Sequence, residues 1–122
     1  MAWQYQQSTG YLKNAAGMLL TTGYSGNGTG KNKPALQGEK CVGPIPCGTY
    51  TIDAPIDTTE HGPYGLPLIP DPTNVREGRS GFLIHGDSKS SPGCASEGCI
   101  IASPLARKAI WSSTDHRLQV IA

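Results

Sequence analysis

The apolar residues of this chain fall in short clusters of strand length, with turn-forming residues between them. Residues 3–7 and Tyr11–Lys13 flank a Ser8-Thr9-Gly10 turn and predict a hairpin. Residues 18–24 form a third strand. It runs into Ser25-Gly26-Asn27-Gly28-Thr29-Gly30, which is too polar and glycine-rich for anything but a loop. Gly43-Pro44-Ile45-Pro46-Cys47-Gly48 makes a rigid turn feeding a strand over 49–53. Residues 55–72 carry five prolines and read as a long surface excursion, with a short extended piece at 66–69. Residues 81–85 are β-type and end on a histidine. Ser103-Pro104 offers an N-cap and a first-turn proline for one helix over 104–113, and Arg117–Ile121 closes as a final strand. No repeat or boundary interrupts this order, so residues 1–122 read as one domain.

Composition sharpens that picture. The 16 glycines and 10 prolines make up about a fifth of the 122 residues, short of the roughly 25–30% that marks low-complexity chains. A compact, mainly β fold with many turns is the better account. The net charge of +1, with no basic run longer than two residues, leaves no electrostatic footprint for nucleic acid. No stretch approaches the ~18 consecutive apolar residues of a membrane-inserted helix. Met1-Ala2-Trp3-Gln4-Tyr5 lacks the basic and then apolar regions of a Sec signal, so export is expected to use another route.

Four cysteines permit two disulfides, or one disulfide and a free nucleophile. Cys41 and Cys47 bracket a Gly-Pro-Ile-Pro turn that could join them, and Cys47–Cys94 is a further pairing. The chemistry concentrates in His85-Gly86-Asp87 and the loop leading to Gly98-Cys99-Ile100. Cysteine is a nucleophile as its thiolate, and a neighbouring imidazole or helix N-terminus lowers its pKa. His85 can fold back across a loop of small residues, and the helix starts a few residues beyond Cys99. Gly98 lets the main chain approach closely, so that its N–H groups can face a developing oxyanion. The rival reading is a zinc site from His85, Cys94, Cys99 and one of Cys41 or Cys47. It lacks any Cys-x-x-Cys pair, and the Cys94–Cys99 separation is long for a knuckle.

Ser96-Glu97-Gly98-Cys99-Ile100, with Ile84-His85-Gly86 upstream, resembles the L,D-transpeptidase (YkuD-type) motif, Ser-His-Gly-Cys after a His-Gly. The chain is more similar still to the small type VI secretion L,D-transpeptidase effectors. That resemblance runs through Trp3, Tyr5 and Gly10, Tyr24-Ser25-Gly26, Asn32-x-Pro34, Gly43-Pro44-Ile45-Pro46-x-Gly48-x-Tyr50, His85-Gly86-Asp87 and Ser96-x-Gly98-Cys99-Ile100. It implies a small β-sandwich or barrel with one short helix after the catalytic cysteine. It also implies Cys99 as nucleophile, His85 as base, Ser96 and Asp87 as supporting groups, and Gly98 with Cys99 as oxyanion donors. Tyr24, Ser25 and Gly86 would bind substrate. The implied substrate is a peptidoglycan tetrapeptide stem, trimmed by L,D-carboxypeptidase action or rejoined by L,D-transpeptidation or D-amino-acid exchange, with no cofactor or metal. The implied setting is an antibacterial toxin acting in a target cell's periplasm, with secretion machinery and an immunity protein as partners and no membrane insertion. Two departures stand out: Glu97 replaces the family's histidine and Ile101 its arginine. A generic Cys-His peptidase or amidase, or a disulfide-stabilised binding module without turnover, are the alternatives.

Overall fold

The computed structural model describes residues 2–74 and 79–122. Ten strands and one α-helix follow in chain order: β1 (Trp3–Gln6), β2 (Tyr11–Lys13), β3 (Leu19–Thr22), β4 (Tyr24–Ser25), β5 (Gly48–Ile52), β6 (Ile56–Thr58), β7 (Gly62–Pro70), β8 (Leu83–His85), β9 (Ile100–Ile101), α1 (Pro104–Ser112) and β10 (Arg117–Ile121). Nine strands make one open sheet in the order β3-β2-β1-β10-β5-β7-β8-β9-β4, and β6 adds to β7 beside that path. The expected mainly β fold with one helix after Cys99 is the fold observed.

β3 and β4 stand at opposite ends of this order, yet only Gly23 separates them in the chain. The sheet therefore curls until its ends meet. Gly23 N–H donates to the Gly10 carbonyl at 2.8 Å, and a Cβ on Gly23 would stand 2.0 Å from the Ile101 carbonyl oxygen. The expected continuous strand over 18–24 is thus two strands, broken where the chain crosses from one end of the sheet to the other.

Alternation along the central strands fills the inside of the curl. Tyr50 and Ile52 of β5 and Leu118 and Val120 of β10 point inward, joining Tyr5, Leu66, Ile84 and Ile100. Tyr50 caps the proline turn before its own strand, its hydroxyl donating to the Pro46 carbonyl at 2.7 Å. α1 begins where Ser103 Oγ accepts from Ala106 N–H at 3.2 Å and Pro104 occupies the first turn. Its buried face, Ala106, Arg107 and Ile110, packs on β7 and β8.

The proline-rich segment 55–72 is not an excursion. It folds as the β6–β7 hairpin, and β7 is a nine-residue central strand containing Pro63, Pro67 and Pro70. The prolines are tolerated because β7 changes partners along its length, to β6, then β8, then β5. Pro67 takes part through its carbonyl, which accepts from Asp53 N–H at 2.9 Å, so no donor is needed from it there.

Gly23→Ala is expected to force the β4 end of the sheet away from β9 and to lower stability by about 1–3 kcal/mol, read as a reduced urea midpoint. An unchanged midpoint would mean that the sheet does not depend on this closure.

Candidate active site

β8 and β9 lie parallel, pairing Ile84 with Ile100 and His85 with Ile101. Carried back one residue, this register sets Cys99 beside Leu83. Because side chains alternate between faces, Cys99 and His85 then share one face of the sheet. Cys99 Sγ accepts from the Leu83 N–H at 3.3 Å and lies 3.8 Å from the Gly81 carbonyl. The residue is 8% exposed and forms part of the wall of a pocket of about 500 Å³, with His61, Arg79, Phe82 and Gly98 among its other lining residues.

His85 is 2% exposed. Its Nδ1 sits 2.9 Å from the Gly86 carbonyl, which can only accept, so Nδ1 carries the hydrogen and Nε2 presents a lone pair. Nε2 is buried and has no hydrogen-bond partner among the described residues. Burial pushes the imidazole's pKa below its ordinary value. The Gly86 carbonyl opposes that shift, and the charges of His61 and Arg107 add to it. Burial pushes the Cys99 thiol up to about 11, against smaller lowering effects from the Leu83 amide and Arg79. The resting pair is therefore neutral thiol and neutral imidazole. The thiolate lowered by a neighbouring imidazole or by the helix is not what this geometry makes: α1 starts beyond β9, and desolvation dominates at Cys99.

Ser96 is wholly buried and organises the turn into Cys99. Its Oγ donates to the Cys99 carbonyl at 2.6 Å and accepts from Gly26 N–H at 2.9 Å and Gly98 N–H at 3.1 Å. The Gly98 amide, expected to face an oxyanion, is thus already engaged. Asp87 holds the loop rather than the histidine. It accepts from the Tyr24 hydroxyl at 2.6 Å and from Ser88 N–H and Gly93 N–H at 2.8 and 3.1 Å. Burial raises its carboxyl, but these donors and Lys31 hold it below the usual range. Tyr24 in turn accepts from Ala95 N–H at 2.9 Å. Ser25 is buried, bridging Ile45 N–H at 2.8 Å and the Gly98 carbonyl at 3.3 Å. Gly86 offers its carbonyl to His85. Tyr24, Ser25 and Gly86, expected to contact substrate, shape the loops beside the pocket rather than its lining.

Two buried arginines that the sequence did not single out flank the pair. Arg79, 6% exposed, donates through Nη1 to the Gln37 and Pro44 carbonyls, both at 2.7 Å, and through Nη2 to the Gly43 and Glu97 carbonyls, both at 3.0 Å. A Cβ on Gly98 would stand 2.1 Å from Nη2, and Gly98 has φ +133, so only glycine fits before Cys99. Arg107 fastens α1 to β7, reaching the Pro63 and Tyr64 carbonyls at 2.8 and 3.1 Å. Neither guanidinium pairs with a carboxylate among the described residues. His61 falls in the segment whose prolines predict a surface excursion. It stacks on His85, ring centroids 4.2 Å apart and planes 30° from parallel.

All four cysteines are free thiols. Cys41 and Cys94 are exposed on the pocket wall, while Cys47 is half-buried on the turn before β5 with its amide bonded to Gln37 Oε1 at 2.8 Å. Neither the Cys41–Cys47 nor the Cys47–Cys94 bridge forms. Among the described residues no three His, Cys, Asp or Glu side chains converge as metal ligands, and no helix is long and apolar enough to cross a membrane.

The curled sheet and its cysteine pocket define a protein of the L,D-transpeptidase fold. The structure matches the crystal structure of an Enterococcus faecium L,D-transpeptidase, a cysteine-to-serine mutant, with a TM-score of 0.55 at 18% identity over 98% of this chain. The chain spans about half, 49%, of that protein. Residues 20–121 match the Tlde1 domain, and the chain belongs to that family of type VI secretion L,D-transpeptidase effectors. No curated protein sequence matches the chain.

Alkylation of Cys99 by iodoacetamide is expected to quicken about tenfold per pH unit from about pH 7 to about pH 10, because the reacting thiolate forms only as pH approaches 11. A plateau below about pH 9 would show that the thiol is not desolvated. Ser96→Ala would strand the Gly26 and Gly98 amides and free the Cys99 carbonyl. It is expected to cost roughly 1–3 kcal/mol by urea unfolding, and to slow Cys99 alkylation at constant pH.

Proposed function

We propose that this chain is a cysteine-dependent peptidoglycan enzyme acting on tetrapeptide stems, as an L,D-carboxypeptidase and as an L,D-transpeptidase or D-amino-acid exchanger, with residues 1–122 as one catalytic domain. Membership of the Tlde1 family supports a peptidoglycan-modifying, transpeptidase-type effector in general. The observation that carries the finer reading is the Cys99 sulfur on the pocket wall, on the same sheet face as a buried histidine whose Nε2 is unpartnered.

The chemistry follows from the neutral pair. Burial disfavours an ion pair between a raised thiol and a lowered imidazole, so the proton leaves sulfur only as the sulfur attacks. His85 Nε2 takes it while Sγ adds to the carbonyl joining the L-centre of the third stem residue to D-Ala. The Cys99 main-chain N–H and the nearby Arg79 cation oppose the developing oxyanion. Collapse of the tetrahedral species breaks the C–N bond. The His85 proton goes to the departing amine, D-Ala leaves, and a thioester remains. Water deprotonated by His85 then releases a tripeptide; a D-amino acid or neighbouring stem amine gives exchange or a cross-link. In a target cell's periplasm this would remove the stems that serve as cross-linking donors. Such a toxin calls for secretion machinery to deliver it and an immunity protein in its producer.

Muropeptide digests treated with the protein are expected to lose tetrapeptides and gain tripeptides or exchanged stems. Cys99→Ala should abolish this, and His85→Ala should slow it by about 10²–10⁴-fold. Expression behind a Sec signal should be toxic only with both residues intact. Full turnover by Cys99→Ala would overturn the assignment, and equal toxicity without the signal would point to a cytoplasmic target and a generic peptidase.

A further inference from the structure

We infer that His61 is a positioning residue for His85: its ring roofs the imidazole where the pocket would otherwise admit water, and so keeps the base dry and uncharged. The inference rests on the reading of His85 as the base. The stack brings the ring centroids within 4.2 Å, on a histidine whose Nδ1 is fixed by the Gly86 carbonyl and whose Nε2 has no partner. His61 itself lines the pocket beside Cys99, whereas His85 does not. The roof is built by the β6–β7 turn, whose register is pinned where His61 N–H donates to Thr58 Oγ1 at 2.8 Å.

The charged or titratable groups facing His85 come from three directions: His61 from the β6–β7 turn, Arg107 from α1 and Asp87 from the loop after β8. Arg107 is a permanent cation and Asp87 is committed to the Tyr24 hydroxyl and the loop amides. Neither supplies the dryness that dominates at this ring; the roof does. Glu60 Oε1 lies 3.8 Å from His61 Nε2 and is largely exposed, so it steadies the roof from the solvent side.

The test compares His61→Ala, which removes the roof, with His61→Phe, which keeps an aromatic cover. The readout is the His85 imidazole carbon resonance across pH, followed by NMR in the complete protein without substrate. The wild-type midpoint is expected below about 6.5, the ordinary histidine value. In His61→Phe it stays low; in His61→Ala it rises by about half a unit or more toward that value as water reaches the ring. The acid limb of muropeptide turnover should move with it in His61→Ala only. An unmoved His85 midpoint in His61→Ala overturns the inference, as does a rise in His61→Phe as large as in His61→Ala. Because the NMR titration needs no substrate, a shift as expected with no muropeptide turnover would overturn the enzymatic reading and leave the roof standing.

Discussion

The site depends on where one buried positive charge is allowed to sit. Arg79 spends its two terminal nitrogens on four main-chain carbonyls, three from segment 37–44 and one from Glu97. Those segments share no strand pairing with each other, so the guanidinium, together with the Ser25 hydroxyl bridging Ile45 and Gly98, holds them together. The same group fills the space a side chain on Gly98 would need, which fixes the backbone immediately before Cys99. A buried cation satisfied by dipoles rather than by a carboxylate keeps its charge available to the pocket. The thiol feels it as a lowering influence, smaller than the cost of burial.

Desolvation keeps both the Cys99 thiol and the His85 imidazole uncharged, and Nε2 of His85 has no hydrogen-bond partner among the described residues. A thiol of this kind resists adventitious oxidation, because sulfur oxidises through its thiolate.

Much of this was legible from residues alone. The final strand Arg117–Ile121 follows from strict alternation, the helix start from Ser103-Pro104, and the sheet's histidine-bearing strand from a β-branched and aromatic run. The neighbourhood of His85 and Cys99 could be read because small residues crowd the loop between them. Three things could not. β7 hides behind its prolines, since local chemistry argues against a strand and only the change of partners along it makes one possible. His61 is hidden with β7, because a histidine in an expected surface loop has no reason to stack on a buried one. Arg79 sits in polar sequence, and nothing local distinguishes an arginine that folds inward onto four carbonyls from one that faces water. The cysteine pairings failed for the converse reason: a turn brings two residues near in sequence without aiming their side chains at each other.

The pairing of β1 with β10 has a consequence for the order in which this molecule can assemble. Trp3–Gln6 lies parallel to Arg117–Ile121, and β10 alone stands between β1 and β5. A chain emerging from the ribosome therefore carries the β1–β2 hairpin without a central strand to dock on until residues 117–121 have been made. Early segments must remain soluble through that interval. His85 on β8 and Cys99 just before β9 gain their dry surroundings only after the sheet has been joined from both ends. Long-range pairings of this kind slow folding, and they make the completed fold an all-or-none event.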